Sequence, residues 1–170
     1  EHSRHVPSDD REETHSDGAR RPDDGTDRED RPAGEGAFRF STTVPVRYRD
    51  LDPFGHVNNA VTVTYLEAGR VAYLREVVGC DPRDRDGGFV VASLELDYEA
   101  PVTLEDGAVE VAVRVPDLGR SSFPMRYRVR TDRVVATAAT TGVAVDRTGG
   151  ARPLPDRWRA AVAAFEGIDP

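Results

Sequence analysis

Between Asn58 and Gly79 the chain runs twenty residues without a proline, and this is the one long stretch that reads as helix. It carries Tyr65, Leu66, Ala68, Val71, Ala72, Tyr73, Leu74, Val77 and Val78. The β-branched start Val61-Thr62-Val63-Thr64 is ambiguous alone, but apolar residues fall on nearly every helical face. That pattern suits a helix enclosed by other structure rather than one lying on a surface. Gly79 supplies the stop.

Around this helix the ordered sequence reads as strand. Phe38-Arg39-Phe40 and Val44-Pro45-Val46-Arg47-Tyr48-Arg49 alternate apolar and polar residues, the period of a half-buried strand, with Pro45 marking an edge or bulge. Four further strand-like runs cover 89–98, 108–115, 122–131 and 134–145. Turn chemistry separates them at Glu105-Asp106-Gly107, Asp117-Leu118-Gly119 and Thr131-Asp132-Arg133, which predicts an antiparallel meander of successive strands. A short amphipathic helix from Pro155 through Phe165 puts Trp158, Val162 and Phe165 on one stripe. The class is therefore α+β, one long helix among five strands.

At 170 residues the chain is long enough for one real core, with a tail. Residues 1–37 hold 12 acidic residues and six arginines, with Val6, Ala19, Ala33 and Ala37 as their only apolar residues. Such a segment cannot offset the entropy of ordering its backbone and is expected to be a disordered acidic tail, leaving 38–170 as the folded domain. His2, His5 and His15 fall in it and read as ordinary histidines of a solvated segment rather than a metal site. The remainder holds 19 acidic residues and 17 arginines, so the domain is nearly neutral. Lysine is absent throughout, a composition that fits either a salt-loving host or a GC-rich genome. The net charge of −8 argues against a nucleic-acid partner. Cys80, the single cysteine, cannot close an internal disulfide or build a zinc site. No apolar run approaches a membrane span and no apolar leader opens these residues, which sets the expectation of a cytoplasmic protein without metal or redox chemistry.

The segment from Arg47 to Ala60, between the first strand and the long helix, concentrates Asp50, Asp52, His56, Asn58 and Asn59. Backbone N–H groups at a helix start lack intrahelical acceptors and carry the positive end of the helix dipole, so they can hold negative charge developing on a carbonyl oxygen. A carboxylate a few residues earlier can then serve as base or nucleophile on that carbonyl. These are the ingredients of acyl transfer. Each also has a plainer reading: Asp and Asn are common turn and cap residues, and a histidine at a helix start is disfavoured as imidazolium and is often structural.

The run Asp50-Leu51-Asp52-Pro53-Phe54-Gly55-His56-Val57-Asn58-Asn59, followed by Tyr65, Glu67 and Arg70, resembles the Asp-x-Asp-x-x-Gly-x-Val-x-x signature of the hotdog-fold acyl-CoA thioesterases, in the branch like 4-hydroxybenzoyl-CoA thioesterase. The resemblance extends to Val91 through Val102 and to Leu118-Gly119-Arg120-Ser121-Ser122, covering about 38–146. It implies a hotdog fold, a long central helix wrapped by a five- to six-stranded antiparallel sheet, with the site at the interface of a homodimer or homotetramer. It further implies that Asp52 attacks the thioester carbonyl or activates water, that the Asn59 amide polarises the carbonyl, and that His56 assists. Gly55, Val57 and Asn58 would shape the substrate site, and Arg120, Ser121 and Ser122 would hold the pantetheine or phosphates of coenzyme A. For Arg120, chance proximity among 17 arginines is the rival explanation.

Glu67 matches the position of a general base in a sister branch, but an ion pair with Arg70 three residues on explains it equally well. Plant acyl-carrier-protein thioesterases share the His-Val-Asn-Asn run but have Asn where this chain has Phe54, which favours coenzyme A esters. Tyr98 and Trp158 read as core or interface aromatics. The expected activity is hydrolysis of an acyl-CoA to free acid and coenzyme A, with no cofactor beyond the coenzyme A of the substrate. Two rivals are a non-catalytic acyl-CoA-binding hotdog module and a hotdog hydratase or dehydratase. The second wants a His and acid pairing that the strands and helix do not offer.

Overall fold

The computed structural model describes residues 37–80 and 88–170; residues 1–36 of the expected tail, with its histidines, and residues 81–87 lie outside them. Among the described residues the elements are β1 (Phe40–Pro45), α1 (Asn59–Glu76), β2 (Gly88–Tyr98), β3 (Ala108–Arg114), β4 (Ser122–Arg130), β5 (Val134–Val145) and α2 (Asp156–Glu166). The strands form one antiparallel sheet in the order β1-β3-β4-β5-β2. This is the α+β hotdog architecture.

Alternation along the strands builds the core. Val109, Val111 and Val113 of β3, Phe123, Met125, Tyr127 and Val129 of β4, and Ala136, Ala138 and Ala144 of β5 are all buried. α1 lays Tyr65, Leu66, Gly69, Arg70, Tyr73 and Leu74 on that face. Each large apolar side chain buried this way contributes roughly 1.5–3 kcal/mol. At Gly69 the helix comes so close that an added Cβ would sit 2.5 Å from Val111 Cγ1, which only glycine accommodates. α2 closes one end: Trp158 meets Phe123 edge-on at 6.4 Å, and Phe165 meets Tyr73 at 6.0 Å. Glu166 Oε1 accepts the Tyr73 hydroxyl at 2.7 Å and the Val115 N–H at 2.9 Å.

Three details depart from the expectation. The first strand stops at Pro45 instead of continuing through Arg49, because residues 47–50 close into a 3-10 turn in which Asp50 Oδ2 accepts the Arg47 N–H at 2.9 Å. Pro45 does lie on an edge strand, since among the described residues β1 pairs only with β3. The meander holds for β3, β4 and β5, but β2 crosses to the far edge and pairs with β5, from Gly88 opposite Val145 to Tyr98 opposite Ala136. Residues 99–107 contain Pro101 and a 3-10 turn rather than a tight hairpin turn, so nothing local commits β2 to its successor. Finally, α1 is not enclosed on every face within this chain. Its buried residues form one stripe, while Val63, Thr64 and Glu67 are exposed.

Candidate active site

The loop from β1 to α1 hangs on Asp50. Only 8% exposed, it accepts from Arg47 N–H and from the Tyr65 hydroxyl, each at 2.9 Å, through Oδ2, while its carbonyl accepts the Asn58 N–H at 2.9 Å. Burial, then the hydrogen bond to Asp50, hold the Tyr65 phenol well above the ordinary tyrosine range, so it remains a donor. Asp50 thus ties both ends of the loop to the helix.

Within that frame the chain turns tightly. Leu51 and Val57 form a bridge, the Asp52 N–H donates to the His56 carbonyl at 2.7 Å, and Gly55 takes a left-handed φ of +80°. Asp52 Oδ1 accepts the N–H groups of Phe54 at 2.9 Å and His56 at 3.1 Å. Oδ2 of Asp52 accepts nothing among the described residues. One carboxylate oxygen therefore holds the turn while the other has no partner among the described residues.

The helix start is organised with similar economy. Asn58 is the N-cap: its side chain accepts the Ala60 N–H at 2.9 Å and its carbonyl accepts the Val61 N–H at 2.8 Å. The Asn59 N–H is the first amide of α1 without an acceptor among the described residues. The carbonyl of the same residue accepts the Tyr98 hydroxyl, from the end of β2, at 2.8 Å.

Asp52, His56 and Asn59 line one cleft of about 340 Å³ together with Val57 and Tyr98. Its deeper wall is apolar, from Val129 of β4 and Val135 and Ala136 of β5. The His56 side chain is exposed, and among the described residues only its backbone is engaged, through Asp52 and a bridge to Thr103. Gly55 makes the turn and Asn58 the cap rather than lining the cleft. Arg120, Ser121 and Ser122 lie elsewhere in the chain. Ser122 opens β4 and Val129 stands seven residues on, a separation of roughly 23 Å in extended strand. There the carbonyls of Arg120 and Ser121 hold the backbone N–H groups of Leu154 and Ala144.

The expected Glu67–Arg70 ion pair is not formed. Arg70 turns inward, 9% exposed, with Nη1 3.5 Å from the Tyr127 hydroxyl and its guanidinium 6.0 Å from the Phe89 ring. Glu67 faces outward beside Thr64, Ala68 and Val71. Tyr98, which the sequence reads as a core or interface aromatic, lines the cleft instead, and its floor residues were not singled out. The signal for Tyr98 was available in parity, since Leu94, Leu96 and Tyr98 share one face of β2. Among the described residues no group of three His, Cys, Asp or Glu side chains is placed to hold a metal ion, and no helix is long and apolar enough to cross a membrane.

Residues 46–163 match the model of the thioesterase-like superfamily. A thioesterase from Thermus thermophilus, crystallised with coenzyme A and Zn, is 37% identical, with a TM-score of 0.67 over 76% of this chain and 96% of that one. The 1,4-dihydroxy-2-naphthoyl-CoA thioesterase Slr0204 from Synechocystis, 18% identical, shares the fold at a TM-score of 0.66 over 73% of this chain and 95% of that one. Among curated proteins, the uncharacterized protein YsmA of Bacillus subtilis (strain 168) is 30% identical over 91 residues, which span 54% of this chain and 60% of that protein. Family match and fold agree, and the chain belongs to the thioesterase-like superfamily as a hotdog-fold thioester hydrolase.

Proposed function

We propose that the chain hydrolyses acyl-CoA thioesters at the cleft holding Asp52 and Asn59. The observation that carries this is the pair of unclaimed groups at one cleft, Asp52 Oδ2 and the N-terminal amide of α1. The thioester carbonyl oxygen accepts from the Asn59 N–H, which stabilises the tetrahedral oxyanion. Asp52 Oδ2 either takes a proton from water as hydroxide adds to the carbonyl, or adds itself to form an anhydride that water then opens. In both routes the C–S bond breaks, coenzyme A leaves as thiolate and the acid is released. His56, at the rim, orients the water. The likeness to a thioesterase crystallised with coenzyme A supports this choice of ester.

A homodimer completes the cleft. β2 is an edge strand of 11 residues whose outer edge is unpaired among the described residues, and Val90, Val91 and Leu94 on it are 39–49% exposed. Two such edges pair about a two-fold axis, which brings a second copy beside each cleft and within reach of Arg120–Ser122.

The test is release of free thiol from a panel of acyl-CoA esters. Asp52→Asn is expected to lower kcat by at least a hundredfold while the fold is kept. One observation favours a second reading: Oδ1 of Asp52 already caps two loop amides, as a purely structural aspartate would. An acyl-CoA-binding module would bind the same esters without turnover, and Asp52→Asn would leave its affinity unaltered.

A further inference from the structure

We infer that Tyr98 is a positioning residue for the polarising amide, its hydroxyl holding the start of α1 against the end of β2 so that the Asn59 N–H keeps its aim into the cleft. This rests on the role proposed above for that amide. The two peptide groups flanking the Asn59 Cα are both pinned. In the first, the Asn58 carbonyl accepts the Val61 N–H at 2.8 Å. In the second, the Ala60 N–H donates to Asn58 Oδ1 at 2.9 Å, and the Asn59 carbonyl accepts the Tyr98 hydroxyl at 2.8 Å. Two of these four polar atoms are held by residue 58 or by the helix itself, Tyr98 holds the third, and the fourth is the open Asn59 N–H. Tyr98 is the contact that reaches in from another element, and so it sets where the helix start stands relative to the sheet.

Stability does not account for the arrangement. Tyr98 is 49% exposed, so its phenol could hydrogen-bond to water at little cost, and a carbonyl in the first turn already has an acceptor role within its helix. The position has a functional consequence instead. Tyr98 stands opposite Ala136, the small residue that floors the cleft, so the ring also bounds the space in which an acyl group would lie. Loss of the hydroxyl leaves that wall in place and releases only the helix start. The polarising bond matters most when the carbonyl oxygen carries full negative charge, so a looser aim should slow the chemical step more than it weakens binding.

The test uses full-length protein with hexanoyl-CoA, or the panel ester turned over fastest. Tyr98→Phe is expected to lower kcat about 5- to 20-fold with KM within twofold of wild type. Independently of turnover, the thioester C=O stretch of the ester bound to Asp52→Asn is expected at lower frequency than in solution. Adding Tyr98→Phe should return it part of the way. If kcat stays within twofold and the stretch does not move, Tyr98 is not positioning the amide, and the proposed site stands without it. A rise in KM with kcat intact makes Tyr98 a wall of the cleft only and overturns the inference. A bound ester whose carbonyl is unshifted in Asp52→Asn overturns the role of the Asn59 amide itself, and the inference with it.

Discussion

Asn58 Oδ1 occupies the Ala60 N–H and leaves the neighbouring Asn59 N–H open, so one side chain both caps the helix and decides which amide the proposed mechanism can use. Replacing it separates these effects. Asn58→Ala removes the cap and is expected to cost about 1 kcal/mol of stability. Asn58→Asp keeps a capping oxygen and favours the positive end of the helix dipole, so thermal stability should match wild type. It also places a carboxylate one residue from the Asn59 N–H, where an oxyanion must form, and kcat should fall by roughly tenfold or more. Thermal melts and thiol release on both variants check the pair; full activity in Asn58→Asp would mean that no negative charge develops at that amide. The motif from Asp50 to Asn59 was legible because its residue types cluster within a few positions. The partners of those residues were not. Asp50 is a buried anchor through Tyr65, fifteen residues on, and Asn59 meets Tyr98, thirty-nine residues on. Arg70 looked like a partner for Glu67, yet it shares the inward stripe with Leu66 and Gly69.

At the scale of elements, strand limits were readable where alternation and turn residues coincide, and β5 spans the expected 134–145. Strand partnership was not, since β2 takes its place by long-range pairing with β5, and no short-range pattern encodes that choice. The join of α1 to α2 is likewise long-range: Tyr73 donates to Glu166, ninety-three residues away. Burial, then the hydrogen bond to Glu166, hold the Tyr73 phenol far above the ordinary tyrosine range. The folded state therefore favours the protonated phenol. Its contribution is fully present below about pH 10, where tyrosine is protonated in the unfolded chain too, and is lost as pH rises further. Each unit above that value should remove up to about 1.4 kcal/mol through this residue. Urea unfolding between pH 8 and 11 should show wild type losing stability steeply at the alkaline end. Tyr73→Phe should be about 1 kcal/mol less stable near pH 8 and fall less steeply above pH 10. Parallel pH profiles for the two would show that the phenol ionises alike in both states.

For the whole folded domain, the open side of α1 and the open edge of β2 answer one question together. The sequence carried apolar residues on nearly every face of the helix, and within one chain only a single stripe of them is buried. The proposed dimer would cover that excess, which is the other structure the apolar pattern of the helix called for. A stable dimer buries roughly 1,200–2,000 Å² in all. In the proposed dimer, a two-fold pairing of β2, about 36 Å long at eleven residues, would supply one part of such a surface and the open side of α1 the rest. In the proposed pairing a charge at Leu94 would be duplicated on both copies near the axis, so repulsion would be added to the loss of apolar contact. Leu94→Glu should sediment as a monomer with unchanged far-ultraviolet circular dichroism, because β2 keeps its pairing with β5 on the other side. Its thiol release should fall with the dimer and recover in part as protein concentration rises, since mass action reassembles the pair. A monomeric Leu94→Glu with wild-type turnover would show that each cleft works alone, and would return Arg120, Ser121 and Ser122 to a structural role at the far end of β4.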